Sequence, residues 1–369
     1  MLPTLHPPTS SETTTPHLGL LDGLRGVAAI AVVLFHFLEI AIPDPEHNVL
    51  AHAYLAVDFF FCLSGFVIAG AYDTRLQTMG VLAFFRRRLI RLHPLVVVGS
   101  LIGWLTFRFD PFSNLYATYA AQSPWLLLSS CLLIPYPIVP ERFLNLFHLN
   151  PPTWSLFWEY VANLAYGLVL VRLRPVALGV LTLLAAGAVC HEVATAGSLS
   201  GGWSRDTAAA GAVRVAYSFL IGMVVYRTHW RLRSRLGFVS LSLLLAAAFL
   251  IPFVKEMNWL TDSLVVLCYF PLLVALGASA QPAPHLAKLC QHLGSISYPL
   301  YMVHYPFLWV FLSYHEQYHP STGTLALVIP LAILGLGLLA WAVLTWVDAP
   351  IRSYLTRTFG KPTSSNHQA

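Results

Sequence analysis

The chain has 369 residues, of which 10% are charged and 57% hydrophobic, with a mean hydropathy of +0.67 and a formal charge of +5. A soluble globular protein carries roughly 25% charged residues, so this composition excludes a soluble domain and indicates a polytopic membrane protein. The five cysteines stand singly, without CxxC or metal-like Cys/His spacing, so no disulfide framework and no metal site are expected. The positive charge is read for its sidedness across a bilayer, not as nucleic-acid affinity.

Residues 1–17 are rich in Pro, Ser and Thr and lack the charged start and apolar core of a signal peptide. They are expected to be a disordered tail, as is 357–369, on either side of one membrane domain over 18–356. The first span, in LLDGLRGVAAIAVVLFHF (20–37), carries Arg25 at its foot and His36 deep inside. Eleven residues on a helix turn through about 1100°, so the two share one face, ~16 Å apart along the axis. Ionisable groups at such depth are functional candidates; the plainer reading is a positive-inside anchor and a satisfied buried histidine.

The second span, AVDFFFCLSGFVIAG (56–70), holds Asp58 near its outer end and Ser64 beside Gly65. Asp58 is a candidate to orient an imidazole or hold a cation, or else an interfacial cap. Ser64 is a candidate nucleophile, although Ser-Gly within a span more often marks close helix packing. In FFRRRLIRLHP (84–94), Arg87, Arg88 and Arg91 occupy adjoining helical positions at the inner membrane surface. Guanidinium forks match phosphate oxygens, which suits an anionic cofactor; a lipid-phosphate anchor is the commoner meaning. PTWSLFWEYVANLAYG (152–167) places Glu159 near the start of a span, and SISYPLYMVHYP (295–306) places His304 in an aromatic-lined helix. Both are deep enough to need partners.

Apolar segments able to span fall near 22–41, 53–72, 92–108, 154–171, 175–191, 211–227, 236–253, 261–279, 295–312 and 323–347. A further stretch, 124–139, is short and carries Pro124, Pro135 and Pro137. If it does not span and the N-terminus is cytoplasmic, 16 of the 21 Lys and Arg lie inside. The remaining Arg108, Arg142, Arg205, Arg214 and Lys255 then lie outside or near a span end. Letting it span would break the positive-inside rule several times. The expected fold is therefore an all-α bundle of about ten spans, both termini cytoplasmic, with 124–139 re-entrant or interfacial on the outer face.

Taken in order, LDGLRGVAAIAVVLFHF, VDFFFCLSGF, RRLIRLHP, TWSLFWE, SYPLYMVH and VDAPIRSYL resemble the acyltransferase-3 family of integral-membrane O-acyltransferases, over nearly the whole chain. The resemblance implies transfer of an acyl group, commonly acetyl, from cytoplasmic acyl-CoA to a hydroxyl of an extracytoplasmic carbohydrate or related acceptor. It implies His36 as catalytic base with Arg25 as its companion, and Arg88 and Arg91, with Arg87 beside them, handling acyl-CoA. Glu159 matches the acidic position of the WSL-x-x-E motif. Asp58, Ser64, Glu159 and His304 are candidates for orienting His36 or binding the acceptor, and Ser64 offers a covalent alternative. Phe157-Trp158 and Asp348 depart from the family pattern. The sequence shows no extra C-terminal hydrolase-like domain of the kind some members carry, so the membrane core or a separate extracytoplasmic partner protein is expected to complete transfer. Acyl-CoA is a donor substrate, and no permanently bound cofactor is expected. The implied location is the cytoplasmic membrane of a bacterium. From another class, an exporter or flippase of a lipid-linked or anionic small substrate also fits midplane ionisable groups above a basic rim.

Overall fold

The computed structural model describes residues 19–359, and within them regular structure is helical. The long helices are α1 (Gly19–Ala41), α2 (Ala56–Tyr72), α3 (Val81–Arg108), α4 (Ser123–Cys131), α5 (Thr153–Leu168), α6 (Pro175–Ala196), α7 (Ala208–Arg227) and α8 (Phe238–Phe249). There follow α9 (Asn258–Leu264, continuing through a π turn into Phe270–Gly277), α10 (Pro284–Tyr318), α11 (Thr322–Val343) and, after a second π turn at Leu344–Asp348, α12 (Ala349–Phe359). Among the described residues, seven helical stretches are long and apolar enough to cross a bilayer: α1, α2, α3, α6, α7, α9 and α11–α12. The other three expected spans are also helical: α5 and α8 are shorter, and α10 is long but more polar. The protein is an all-α polytopic helical bundle.

Two boundaries differ from the sequence reading. Gly80, at φ +77°, lets the chain turn sharply into α3 at Val81 instead of near 92. Arg88 and Arg91 therefore lie about two to three turns inside that helix, not at its margin. The C-terminal helix continues to Phe359, three residues into the stretch expected to be a tail. Residues 1–17 and the rest of that tail lie outside the described residues. The stretch 124–139 does not cross: α4 has nine residues, about 13 Å of helix. It is tied to α3 by Trp104 donating to Ser123 at 2.7 Å and by a Ser100–Ser130 bond at 2.8 Å. Phe107, Leu126, Val139 and Leu149 seal a small apolar core beneath it.

Two parallel helix pairs position everything that follows. In the first, α1 lies along α10, with Arg25 on Gly294 and Ser297 near one end and Phe37 on Phe311 toward the other. In the second, α2 lies along α7, and 72% of the α2 window is buried against 22% for the peripheral α6 and α11. That second pair is tied at both ends. Asp58 meets Arg214 at 2.7 Å near the long loops, and Asp73 meets Arg227 at 2.8 Å near the opposite end. Between them the backbones nearly touch. A Cβ on Gly65 would lie 2.0 Å from the Phe219 carbonyl oxygen, and one on Gly222 would lie 2.0 Å from that of Cys62. Small residues permit this approach where lipid offers no hydrophobic drive for helices to associate.

Gly65→Ala or Gly222→Ala should therefore force α2 and α7 apart and destabilise the protein by about 1–3 kcal/mol, the usual cost of overpacking. Thermal unfolding of the detergent-solubilised variants checks this. An unchanged midpoint in both would mean that the pair does not need its close crossing.

Candidate active site

The candidate residues fall into three groups. The largest surrounds a cavity of about 320 Å³ near the end of the molecule where α1 and α3 begin, called here the arginine end. Arg25, Arg88, Arg91 and Arg352 line it together with Glu159 and Asp348. Arg88 is buried and its Nη2 meets Glu159 Oε1 at 2.7 Å, while Ser64 Oγ donates to the same oxygen at 3.0 Å. Arg25 donates from Nε to Ser297 Oγ at 2.9 Å and from Nη2 to the Gly294 carbonyl at 2.7 Å, with Asp22 at 3.3 Å. The π turn at Leu344–Asp348 brings Asp348 to the wall, where Arg352 Nε reaches it at 3.1 Å. Arg91 lines the cavity without an ion pair among the described residues. Four guanidiniums against two carboxylates leave a net positive wall, suited to a polyanion. Arg87 is exposed and does not line the cavity.

The second group lies three helical turns along α1 from Arg25. Nδ1 of His36 is 2.8 Å from Oε1 of Glu39, an i,i+3 contact on one face. A carboxylate only accepts, so the hydrogen sits on Nδ1 and Nε2 carries the lone pair. The His36 ring stacks on His304 at 5.6 Å and meets the edge of Tyr305 at 5.0 Å. His304 is fully buried, its Nδ1 donating to the carbonyls of Leu300 and Tyr301. Tyr301 is among the residues that line the cavity, and its ring is 5.7 Å from His304. His36 does not line the cavity itself.

Asp58 forms the third group and is not beside His36. It is fully buried, and its carboxylate accepts from Arg214 Nε at 3.2 and 3.3 Å and from Nη2 at 2.7 Å. The rest of the Arg214 guanidinium donates to the carbonyls of Gly201 and Tyr54 and lies over the Trp154 ring. Every charge in this group is answered, an ion pair that ties α2 to α7.

The profile of the acyltransferase 3 family, described as an acyltransferase domain, matches residues 19–347. The chain belongs to that family. It is a membrane acyltransferase, and the family reading takes precedence over an exporter. It is 35% identical over 166 residues to protein 2 in the picA locus of Rhizobium radiobacter, covering 42% of this chain and 84% of that one. It is 32% identical over 164 residues to acyltransferase MdmB of Streptomyces mycarofaciens, covering 42% of this chain and 40% of that one. Against the O-acetyltransferase OatA of Staphylococcus aureus it is 35% identical over 80 residues, 21% of this chain and 12% of that one. The matches therefore take in less than half of either relative named as an acyltransferase. No solved structure matches.

Several groups in this acyltransferase escaped sequence reasoning. Glu39 stood in plain view as His-x-x-Glu at helical spacing. Arg352 had been counted only as an inner-face charge, and Asp348 only as a motif departure. Arg214 pairs across 156 residues with Asp58, which no local pattern signals.

If Asp58 is a clasp, Asp58→Asn should cost about 3–5 kcal/mol, because it strands a buried guanidinium. The double variant Asp58→Leu/Arg214→Met should be less destabilised than the sum of the single changes. A thermodynamic cycle by denaturation in detergent measures this. Additive effects would remove the pair as a unit, and an undisturbed fold with lost activity would return Asp58 to the chemistry.

Proposed function

We propose that the protein transfers an acyl group, commonly acetyl, from acyl-CoA to a hydroxyl of a carbohydrate or related acceptor, with His36 as general base. The observation that carries this reading is the His36–Glu39 contact of 2.8 Å, which leaves Nε2 free to take a proton. It sits on the same face of α1 as Arg25, whose guanidinium lines the positively charged cavity. In this reading the arginine end faces the cytoplasm of a bacterium, and Arg25, Arg88 and Arg91 hold the donor's phosphates with Arg352. The acyl end passes Tyr301 toward His36, while the acceptor approaches from the extracytoplasmic side.

The chemistry then needs no further group. Nε2 of His36 takes the acceptor hydroxyl proton as the oxygen attacks the thioester carbonyl. The tetrahedral intermediate collapses, the carbon–sulfur bond breaks, and the imidazolium returns the proton to the CoA thiolate. Glu39 acts through His36 as a positioning residue, fixing the tautomer and stabilising the imidazolium. OatA and MdmB, matched over less than half of their own length, support acyl transfer, and the carbohydrate acceptor rests on the proposal alone.

Two experiments test it. His36→Gln should insert and bind acyl-CoA normally, yet lose transfer by at least ~10² in thiol release, the usual contribution of a positioned base. Glu39→Gln can donate to Nδ1 and so reverse the tautomer, lowering kcat by about tenfold or more with the donor KM unchanged. Substantial transfer by His36→Gln would end the base assignment.

The donor site is tested by Arg→Lys changes, which keep charge and lose the fork. Arg91→Lys should weaken acyl-CoA binding without changing thermal stability, because no carboxylate of the described residues pairs with Arg91. Arg88→Lys should lower both, because it also holds Glu159. Equal donor affinity in wild type and both variants, by titration calorimetry, would refute phosphate binding there.

A further inference from the structure

At the opposite end from the arginine cavity, the loop between α4 and α5 buries Arg142 to 4% exposure. Its guanidinium carbon lies over the Phe107 ring at 4.6 Å and the Trp309 ring at 4.8 Å. No carboxylate of the described residues comes within ion-pair distance of it. The acid whose field it feels, Asp110, is already occupied by the Phe112 amide at 3.0 Å and the Ser313 hydroxyl at 2.8 Å. Burial pushes the Arg142 guanidinium down to about 9. A buried cation left without a counter-ion is costly, and other buried arginines here, Arg88 and Arg214, each have one.

The neighbouring histidine adds a second open group. Arg142 Nη1 approaches His148 Nδ1 at 3.4 Å. Arginine can only donate, so Nδ1 accepts and the ring hydrogen sits on Nε2. That Nε2 is buried and has no partner among the described residues, and burial, then the Arg142 charge, holds His148 well below the ordinary imidazole value. The pair thus presents a cation without a counter-ion and, at His148 Nε2, an N–H donor without an acceptor among the described residues. With rings over the guanidinium, its N–H edges are the directions left for binding, the geometry that takes a carboxylate or phosphate edge-on.

The location connects to the chemistry. Trp309 meets Tyr305 at 5.3 Å, Tyr305 meets His36 at 5.0 Å, and Tyr305 lies in the fields of both Glu39 and Arg142. We propose that Arg142 and His148 bind an anionic group, carboxylate or phosphate, carried by the acceptor, so that the enzyme selects acidic acceptors. This rests on the proposed function, in which the acceptor reaches His36 from this side.

The test uses the full chain in lipid nanodiscs with acetyl-CoA and three acceptors: methyl glucoside, methyl glucuronide and glucose 1-phosphate. The wild type should favour at least one anionic sugar over the neutral one by roughly tenfold or more in kcat/KM, and which one separates carboxylate from phosphate. Arg142→Gln should bring that ratio toward one, and Arg142→Lys should retain part of it. Should Arg142→Gln fail to insert, His148→Phe, which removes the N–H, should lower the same ratio. No preference in the wild type, or an equal fall for all three sugars in Arg142→Gln, overturns the proposal and leaves a structural staple. Thiol release with no transfer to any of the sugars overturns it as well. Absence of thiol release altogether would instead remove the acyl-CoA reading beneath it.

Discussion

An ionised side chain in an apolar interior has to be answered by an opposite charge or by full hydrogen bonding, and that requirement organises this molecule. Asp58–Arg214 and Asp73–Arg227 clamp α2 to α7 at either end, and Arg88–Glu159 joins α3 to α5. Arg352–Asp348 fixes the start of α12 against the cavity. The same pairs that hold helices together therefore sort the charges into those already answered and those that are not. Among the described residues, Arg142 is the buried arginine with no ion pair, while Arg91, exposed at the wall of the cavity, has none either. Both are positions where the proposed anionic ligands, donor and acceptor, would complete the electrostatics.

How much of this was legible follows from what a linear pattern can encode. Helical period alone put Arg25 and His36 on one face, because both lie on a single helix whose pitch is fixed. A helix overlaps each of the ten stretches that hydropathy marks. The start of α3 was missed because its first two turns carry Arg86, Arg87 and Arg88, which lower hydropathy without breaking the helix. Only Gly80 marks the true beginning. Partners across helices were not readable at all. Asp58 looked available for His36 until Arg214 was seen beside it, and Glu159 looked like an acceptor-side carboxylate until it met Arg88 and Ser64. Glu39 differs, since its spacing from His36 is local, three residues on along one helical face.

Parallel packing of α1 and α10 gives the site its dimensions. Arg25 is fixed by Gly294 and Ser297, and ten residues further along α10 His304 stacks on His36. Two rigid helices thus hold a cationic position and the proposed base at a separation of ~16 Å. A compact anion bound at the arginines would leave its reactive atom far from Nε2. A donor suits this spacing only if a long, narrow arm separates its phosphates from its reactive carbon, which is the architecture of an acyl-CoA thioester. Tyr301 lies between the cavity lining and His304, and its hydroxyl is held by Ser155 at 2.9 Å, so its ring is tethered in place. The distance along α1 therefore argues for the donor class on different ground from the arginine charge, and a shorter anionic donor would satisfy one requirement but not the other.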